Sequence, residues 1–250
     1  WSEFEILRDT FIAGGVPTLV CEPRELELDG SGLSAQGRRI DLVYRRVLVN
    51  DILAKPLECR ALVDACAARA VCMANSFRCK LAHKKAFFAI LTDPAYEALF
   101  SAGERAAIQA HVPWTRVLDD VETQKGDWRG DLLALARAWR EHLVLKPNDE
   151  YGGKGVNLGW EMTEGQWGTA RESALEDPYG TWIVQERIPV RREVFPQFDA
   201  TGRITMADML VDLAPYLFRG RMGGYLTRLS ATGLANVTSG GGQVPAFIVE

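Results

Sequence analysis

The stretch LVLKPNDEYGGKGV, residues 143–156, joins an apolar run to a lysine–proline pair and a tight glycine-rich turn. The glycines Gly152, Gly153 and Gly155 allow the backbone to fold closely against a bulky anion, with its N–H groups as donors. Lys146 and Lys154 can hold a polyphosphate from two sides as point charges. The stretch therefore predicts a strand followed by a phosphate-binding loop, with ATP as the ligand.

A plain β-hairpin explains the same residues, because glycine supplies the positive φ angles of a tight turn and Lys154 can be solvated at its tip. The loop is not a Walker A motif, since Gly155 rather than Ser or Thr follows Lys154. It is not a Rossmann turn either, since the spacing G-x-G-x-x-G is absent. On this stretch alone, the phosphate loop and the structural hairpin both stay open.

Composition indicates a soluble globular protein of one large or two compact domains. The chain has 250 residues, of which 47% are hydrophobic and 25% charged. A net charge of −4 argues against a general nucleic-acid surface. We find no apolar run of about 18 residues, which a membrane helix needs, and no signal peptide. We therefore expect no membrane and no nucleic-acid partner, and a cytoplasmic location.

All five cysteines lie in the first third of the chain, without C-x-x-C spacing. An odd number with this spacing fits neither a zinc site nor a complete disulfide framework. Cys59, Cys66 and Cys72 stand among apolar residues, where free cysteine behaves as a small hydrophobe. We expect buried, reduced thiols.

The first 142 residues alternate helical patterns with short apolar runs, which is typical of an α/β layer structure. We expect helices at 2–13, 57–70, 80–91, 94–110 and 131–142, strands at 18–21 and 70–74, a small meander within 26–47, and irregular chain at 112–127. From 143 to 186 the order strand–loop–strand, helix, strand predicts a small α+β lid. Its helix begins at the capping box of Thr163 and Gln166. Residues 193–198 and 203–213 are expected to pair as a hairpin.

Three further segments carry residues suited to a nucleotide. Gln185 and Glu186 end an apolar strand, where backbone groups can meet an adenine edge and a carboxylate can accept from a ribose hydroxyl; the alternative is an exposed surface Glu. Arg228 precedes Asn236 and the glycines Gly240, Gly241 and Gly242. An arginine and a glycine-rich turn can together bind phosphoryl oxygens. The alternative is that these glycines form a flexible surface loop. Lys85 stands near a helix start, where a cation gains nothing from the helix dipole, so it either binds a ligand or is solvated.

Taken in this order, these segments resemble the ATP-grasp superfamily. More narrowly, the chain resembles the circularly permuted ATP-grasp proteins related to glutathionylspermidine synthase, including the helix HKKAFFA at 83–89. The resemblance implies a fold of mixed α/β and α+β class, in which two α+β subdomains enclose a nucleotide cleft. Residues 1–80 would form a small preceding α/β domain and residues 81–250 the ATP-grasp domain, with 143–186 as its lid.

The resemblance also implies residue roles. Lys146, Lys154 and the loop glycines would contact ATP phosphates, and Lys85 would lie near the nucleotide. Gln185, Glu186 and Ile188 would line its adenine and ribose side. Arg228 would stabilise the transition state, while Asn236 and residues 240–242 would hold phosphate or substrate. The implied activity converts a small-molecule carboxylate to an acyl phosphate, which a small-molecule amine or thiol captures.

Such enzymes also need Mg²⁺, and here the chain departs from the pattern. No E-x-N sequence occurs, and in the permuted relatives that element would precede Trp1. Asp212 and Asp208, on one face of an expected strand, are the metal-ligand candidates, or else solvated charges. Three functions therefore stay open: an ATP-dependent carboxylate–amine ligase, a nucleotide-binding regulatory or scaffold protein without turnover, and an ATP-grasp phosphotransferase.

Overall fold

The computed structural model of the chain describes residues 1–178, 180–198, 201–235 and 241–247. The chain divides into two compact units, Trp1–Ala82 and His83–Glu250; the sequence analysis placed a boundary after residue 80. Each unit combines helices with strands, so the mixed α and β class is confirmed. No helix in these described ranges has the length and apolar character needed to cross a membrane.

The first unit contains a small meander and a parallel strand pair. Strands β1 to β3 are antiparallel neighbours, and β4 pairs with β5 in parallel, which requires a crossover through the helices between them. Its core is centred on Ile52, Cys59 and Leu62. The elements are α1 (Ser2–Ala13), β1 (Leu26–Asp29), β2 (Gly32–Ala35), β3 (Arg38–Arg39), β4 (Leu42–Tyr44), α2 (Val49–Ala54), α3 (Arg60–Ala67), β5 (Cys72–Ala74) and α4 (Cys79–His83).

Two expectations for this unit are wrong. Residues 18–21 form no strand, because they pair with no other segment among the described residues and a strand gains its stability from such pairing. Of the cysteines, Cys59 is buried and Cys66 partly buried, but Cys72 is exposed. Burial raises the pKa of the Cys59 thiol, which keeps it protonated and unreactive.

The second unit begins with helices and is built around an antiparallel sheet in the order β10-β9-β11-β6. The order strand–loop–strand, helix, strand across 143–186 is confirmed, as is the capping box at Thr163. The elements are α5 (Phe87–Thr92), α6 (Ala102–His111), β6 (Thr115–Val117), β7 (Glu122–Lys125), β8 (Trp128–Asp131), α7 (Leu132–Ala138), β9 (Leu143–Pro147), β10 (Asn157–Leu158), α8 (Glu164–Leu175) and β11 (Trp182–Glu186).

The two faces of this sheet differ in chemistry. Successive residues of a strand point to opposite faces, and directly paired residues share one face. Leu143, Leu145 and Val184 face the main core, which includes the buried Trp167 of α8. Lys146 is paired with Ile183, and Gln185 with both Val144 and Thr115, so the other face carries polar side chains among apolar ones.

A second antiparallel sheet has the order β12-β13-β14-β15. Its strands are β12 (Arg192–Phe198), β13 (Ile204–Phe218), β14 (Arg221–Ser230) and β15 (Gly242–Val244). The hairpin expected from residues 193–198 and 203–213 is confirmed by the pairing of β12 with β13.

Three helix and loop expectations for residues 80–127 are wrong. Residues 80–91 form two short helices, α4 and α5, rather than one, and residues 94–99 form a 3-10 helix. The segment 112–127, expected to be irregular, contains β6 and β7. These strands are rich in polar residues and show no apolar pattern in the sequence. Their pairing with β11 and β8 stabilises them as strands.

Candidate functional site

Gln185 and Lys85 both lie near Lys146, which projects from one face of the sheet β10-β9-β11-β6. The ammonium of Lys146 donates to Oε1 of Gln185 at 2.8 Å. Nζ of Lys85 donates to the backbone carbonyl of Glu150 at 2.5 Å, at the start of the glycine-rich loop. The structure therefore brings together three of the expected nucleotide-binding residues: Lys85 from the segment before α5, Lys146 from β9 and Gln185 from β11.

Asn148 places Lys85 beside the end of β9. Its side-chain Oδ1 accepts from the N–H of Ala86 at 2.8 Å, and its carbonyl accepts from the N–H of Lys85 at 3.2 Å. Its own N–H donates to the carbonyl of Thr181 at 2.8 Å. One buried amide residue thus joins the chain before α5 to the strand that carries Lys146.

The charge of Lys146 is held in an unfavourable setting. Burial lowers the pKa of Lys146, and the nearby positive charge of Lys85 lowers it further. In the described part of the chain Lys146 forms no ion pair, and its hydrogen-bond partner is the neutral amide of Gln185. Two neighbouring ammonium groups, both partly buried, are stabilised by an anion that binds beside them.

The loop between β9 and β10 has the backbone that its glycines predict. Gly152, Gly153 and Gly155 have φ of 67°, 81° and 71°, in the left-handed region that favours glycine. A Cβ on Gly155 would also lie 3.0 Å from Cγ of Pro147. Lys154 is 76% exposed and pairs with Glu150 at 3.1 Å. The segment is thus a hairpin, and its tip lysine points into solvent.

Glu186 does not join the lysine cluster. It lies on the opposite sheet face from Lys146, because it is paired with Leu143 on the core side. Its carboxylate lies 2.6 Å from Nζ of Lys125, an ammonium that also lies over the rings of Trp114 and Trp139, at 5.4 and 5.7 Å. The carboxylate therefore neutralises a lysine held between two indole rings.

The backbone N–H groups at the end of β11 form hydrogen bonds within the fold. The N–H of Glu186 donates to the carbonyl of Trp114 at 2.9 Å, and that of Arg187 to the carbonyl of His142 at 2.8 Å. The N–H of Glu186, expected to meet an adenine edge, therefore already has an acceptor, which corrects that part of the expectation. Ile188 is 52% exposed and remains accessible to a ligand.

The second sheet holds Arg228 by an ion pair. Arg228 of β14 lies directly opposite Asp212 of β13, and its Nη2 and Nε are 2.6 and 2.7 Å from Oδ2 of that carboxylate. Gly242 extends this sheet by pairing with Leu229, and Gly241 is partly buried. Asn236 and Gly240 lie outside the described residues.

The described residues do not fit the expected Mg²⁺ site. Asp212 is paired with Arg228, and Asp208 with Arg192 at 2.7 Å. The two aspartates lie four positions apart on β13, about 13 Å at the rise of a strand, while Mg²⁺ ligands lie about 2.1 Å from the ion. In the described ranges no group of three His, Cys, Asp or Glu side chains could hold a metal.

A groove of about 610 Å³ also opens on the second unit. Its lining runs from the start of α5 to β8 and combines apolar with charged side chains; it includes Ala86, Ile90, Asp93, Arg116, Val117 and Glu122. Neither Lys146 nor the glycine-rich loop is part of the lining. The groove is therefore a separate feature from the lysine cluster.

Thr115, Lys125 and Asn148 touch expected site residues but were not predicted from the sequence. Asn148 had a usable signal, because an asparagine directly after a strand commonly bonds backbone groups. Thr115 and Lys125 had none, since both lie in short strands whose pairing depends on distant segments.

No protein-family model matches the chain, and no curated protein matches it. A function for the chain is therefore inferred from its own residues.

Proposed function

We propose that the chain is an ATP-dependent ligase of ATP-grasp type, which joins a carboxylate to an amine or thiol through an acyl phosphate. The observation that carries this proposal is the convergence of Lys85 and Lys146 beside the glycine-rich hairpin loop. Burial and like charge both lower the pKa of Lys146, and an anionic ligand relieves that cost. The triphosphate of ATP is an anion of the required size and charge.

The arrangement of elements supports the same proposal. A strand with Lys146, a glycine-rich loop, a helix and a returning strand with Gln185 follow in the order expected for an ATP-grasp lid. A second antiparallel sheet in the same unit carries Arg228. Loop backbone N–H groups would supplement the lysines at the phosphates.

In this mechanism a carboxylate oxygen of the first substrate attacks the γ-phosphorus of ATP, and ADP leaves. The amine or thiol then attacks the acyl carbon, releases its proton to solvent as the new bond forms, and expels inorganic phosphate. Lys85 and Lys146 bind the phosphates and position them, while Arg228 stabilises charge on the transferred phosphoryl group. The side chains described here form no covalent intermediate in either step.

A second candidate is a nucleotide-binding regulatory or scaffold protein without turnover. The ion pairs of Asp208 and Asp212 favour it, because carboxylates held by arginines do not provide a magnesium site. A protein of this kind would bind ATP through the same lysines and release no ADP.

The experiment is a screen for ADP release from ATP in magnesium buffer, with carboxylates and amines added singly and in pairs. The ligase predicts ADP release only when both substrates are present. Release with a single acceptor would identify a phosphotransferase. Tight ATP binding without ADP under any condition would favour the scaffold, and the absence of ATP binding would refute the proposal.

A further inference from the structure

A chain of three hydrogen bonds runs from β6 through β11 to the ammonium of Lys146. Lys146 Nζ donates to Gln185 Oε1 at 2.8 Å, and Gln185 Nε2 donates to Thr115 Oγ1 at 2.9 Å. The hydroxyl of Thr115 donates to the carbonyl of Pro113 at 2.9 Å. Thr115 is fully buried and Gln185 is 7% exposed, so water is excluded from the bond between them, while Lys146 at the end of the chain is only partly buried.

The direction of each bond follows from the one proton of a hydroxyl. Thr115 uses that proton on the carbonyl of Pro113, so its oxygen can only accept from Gln185. The amide of Gln185 must then turn its NH₂ group to Thr115 and its oxygen to Lys146. In the flipped amide, NH₂ would face an ammonium, and two donors would oppose each other.

We propose that Thr115 is a positioning residue of the phosphate site: it fixes the amide of Gln185, whose oxygen in turn holds the Lys146 ammonium for the anion. This inference rests on the proposed function. A neutral acceptor suits the task, because it uses one of the three N–H donors of Lys146 and leaves two for the ligand. A carboxylate in its place would bind the ammonium but cancel the charge that attracts phosphate.

The test compares ATP affinity, measured by calorimetry near pH 7, in Thr115→Val, Thr115→Ser and the control Thr169→Val. Thr169 is exposed on α8, where its hydroxyl bonds only a carbonyl of its own helix. Thr115→Val keeps the shape but loses the hydroxyl, so ATP affinity should fall about 3- to 10-fold, the effect of one hydrogen bond. Thr115→Ser and Thr169→Val should stay within about twofold of the wild type.

Equal affinity in Thr115→Val and the wild type would overturn the proposal. So would an equal loss in Thr115→Ser, because the methyl group rather than the hydroxyl would then matter. If Thr115→Val does not fold, Gln185→Glu tests the proposal instead. It should weaken ATP binding by placing a carboxylate against Lys146, and unchanged affinity would refute the positioning role of the Thr115–Gln185 pair.

A second measurement distinguishes failure of the positioning role of Thr115 from failure of the proposed function. The pKa of Lys146 can be followed by the NMR shift of its Cε as a function of pH, without any nucleotide. Loss of the oriented acceptor should lower that pKa further in Thr115→Val but not in Thr115→Ser. If the variants show this pattern but the protein binds no ATP, the positioning role of Thr115 stands and the proposed ligase function is refuted. Identical pKa values in all variants would refute the positioning role alone.

Discussion

At the scale of single residues, the pairing of Lys146 with an amide instead of a carboxylate is the central feature of the site. A buried lysine with a carboxylate partner is a neutral structural pair, whereas Lys146 has a neutral amide as its partner and lies close to a second lysine. This difference was not visible in the sequence, which placed Lys146 on a strand but could not show which side chains it meets.

The lowered pKa of Lys146 predicts how ATP binding depends on pH. The anion prefers the protonated lysine, so binding raises the pKa of Lys146, and affinity is highest below the pKa of the free protein. Because that pKa is lowered, affinity should begin to fall at a pH below the ordinary lysine value of about 10.4. In Lys146→Met, ATP should bind more weakly and lose this part of its pH dependence. Calorimetry across the alkaline range checks the prediction, and an identical pH profile in the mutant would contradict it.

Arg228 offers a second residue-scale prediction, with Arg192 as its matched control. Both arginines pair with an aspartate of β13, but only Arg228 is assigned to the transferred phosphoryl group. In a ligase assay, Arg228→Ala should lower turnover by orders of magnitude with little change in ATP affinity, since the lost interaction forms in the transition state. Arg192→Ala should keep most of the turnover. Equal losses in both mutants would show that Arg228 only stabilises the sheet.

At the scale of elements, the hairpin of β9 and β10 depends on the backbone of Gly155. An alanine there would adopt a left-handed conformation and press its Cβ against Pro147. Gly155→Ala should therefore lower the free energy of unfolding by about 1–2 kcal/mol and also weaken ATP binding. As a control, Gly168→Ala within α8 has open space for its Cβ and should stabilise the protein by about 0.5–1 kcal/mol. Urea unfolding measures both, and a Gly155→Ala protein as stable as the wild type would contradict the hairpin's geometry.

Elements with local signals could be predicted from the sequence, and those that depend on distant partners could not. The helix α8 has a capping box at Thr163, and β9 and β11 are apolar runs, so their order was evident. The strand β6 has three residues and includes a buried arginine, Arg116, whose guanidinium donates to acceptors in several segments. Only its pairing with β11 makes it a strand, and the same pairing sets the position of Thr115.

At the scale of the whole molecule, the candidate site lies within one unit, His83–Glu250. The resemblance to ATP-grasp proteins implied that Lys85, Lys146 and Gln185 serve one site, and in the structure Lys85 and Gln185 both lie near Lys146. Glu186 was assigned to the same site, but the alternation of side chains along β11 places it on the other face. A one-residue difference on a strand decides the face, and the sequence does not show which face meets the ligand.

The central claim is that the Lys85 and Lys146 cluster binds the phosphates of ATP, and calorimetric titration of ATP tests it most directly. The proteins are the wild type, Lys85→Ala, Lys146→Ala and the control Lys55→Ala, whose exposed ammonium in the first unit lies 3.8 Å from Glu58. We predict that each site mutation weakens binding about tenfold or more, because each removes a charge-assisted contact, whereas Lys55→Ala binds as the wild type does. Wild-type affinity in both site mutants, or no ATP binding by the wild-type chain, would contradict the claim.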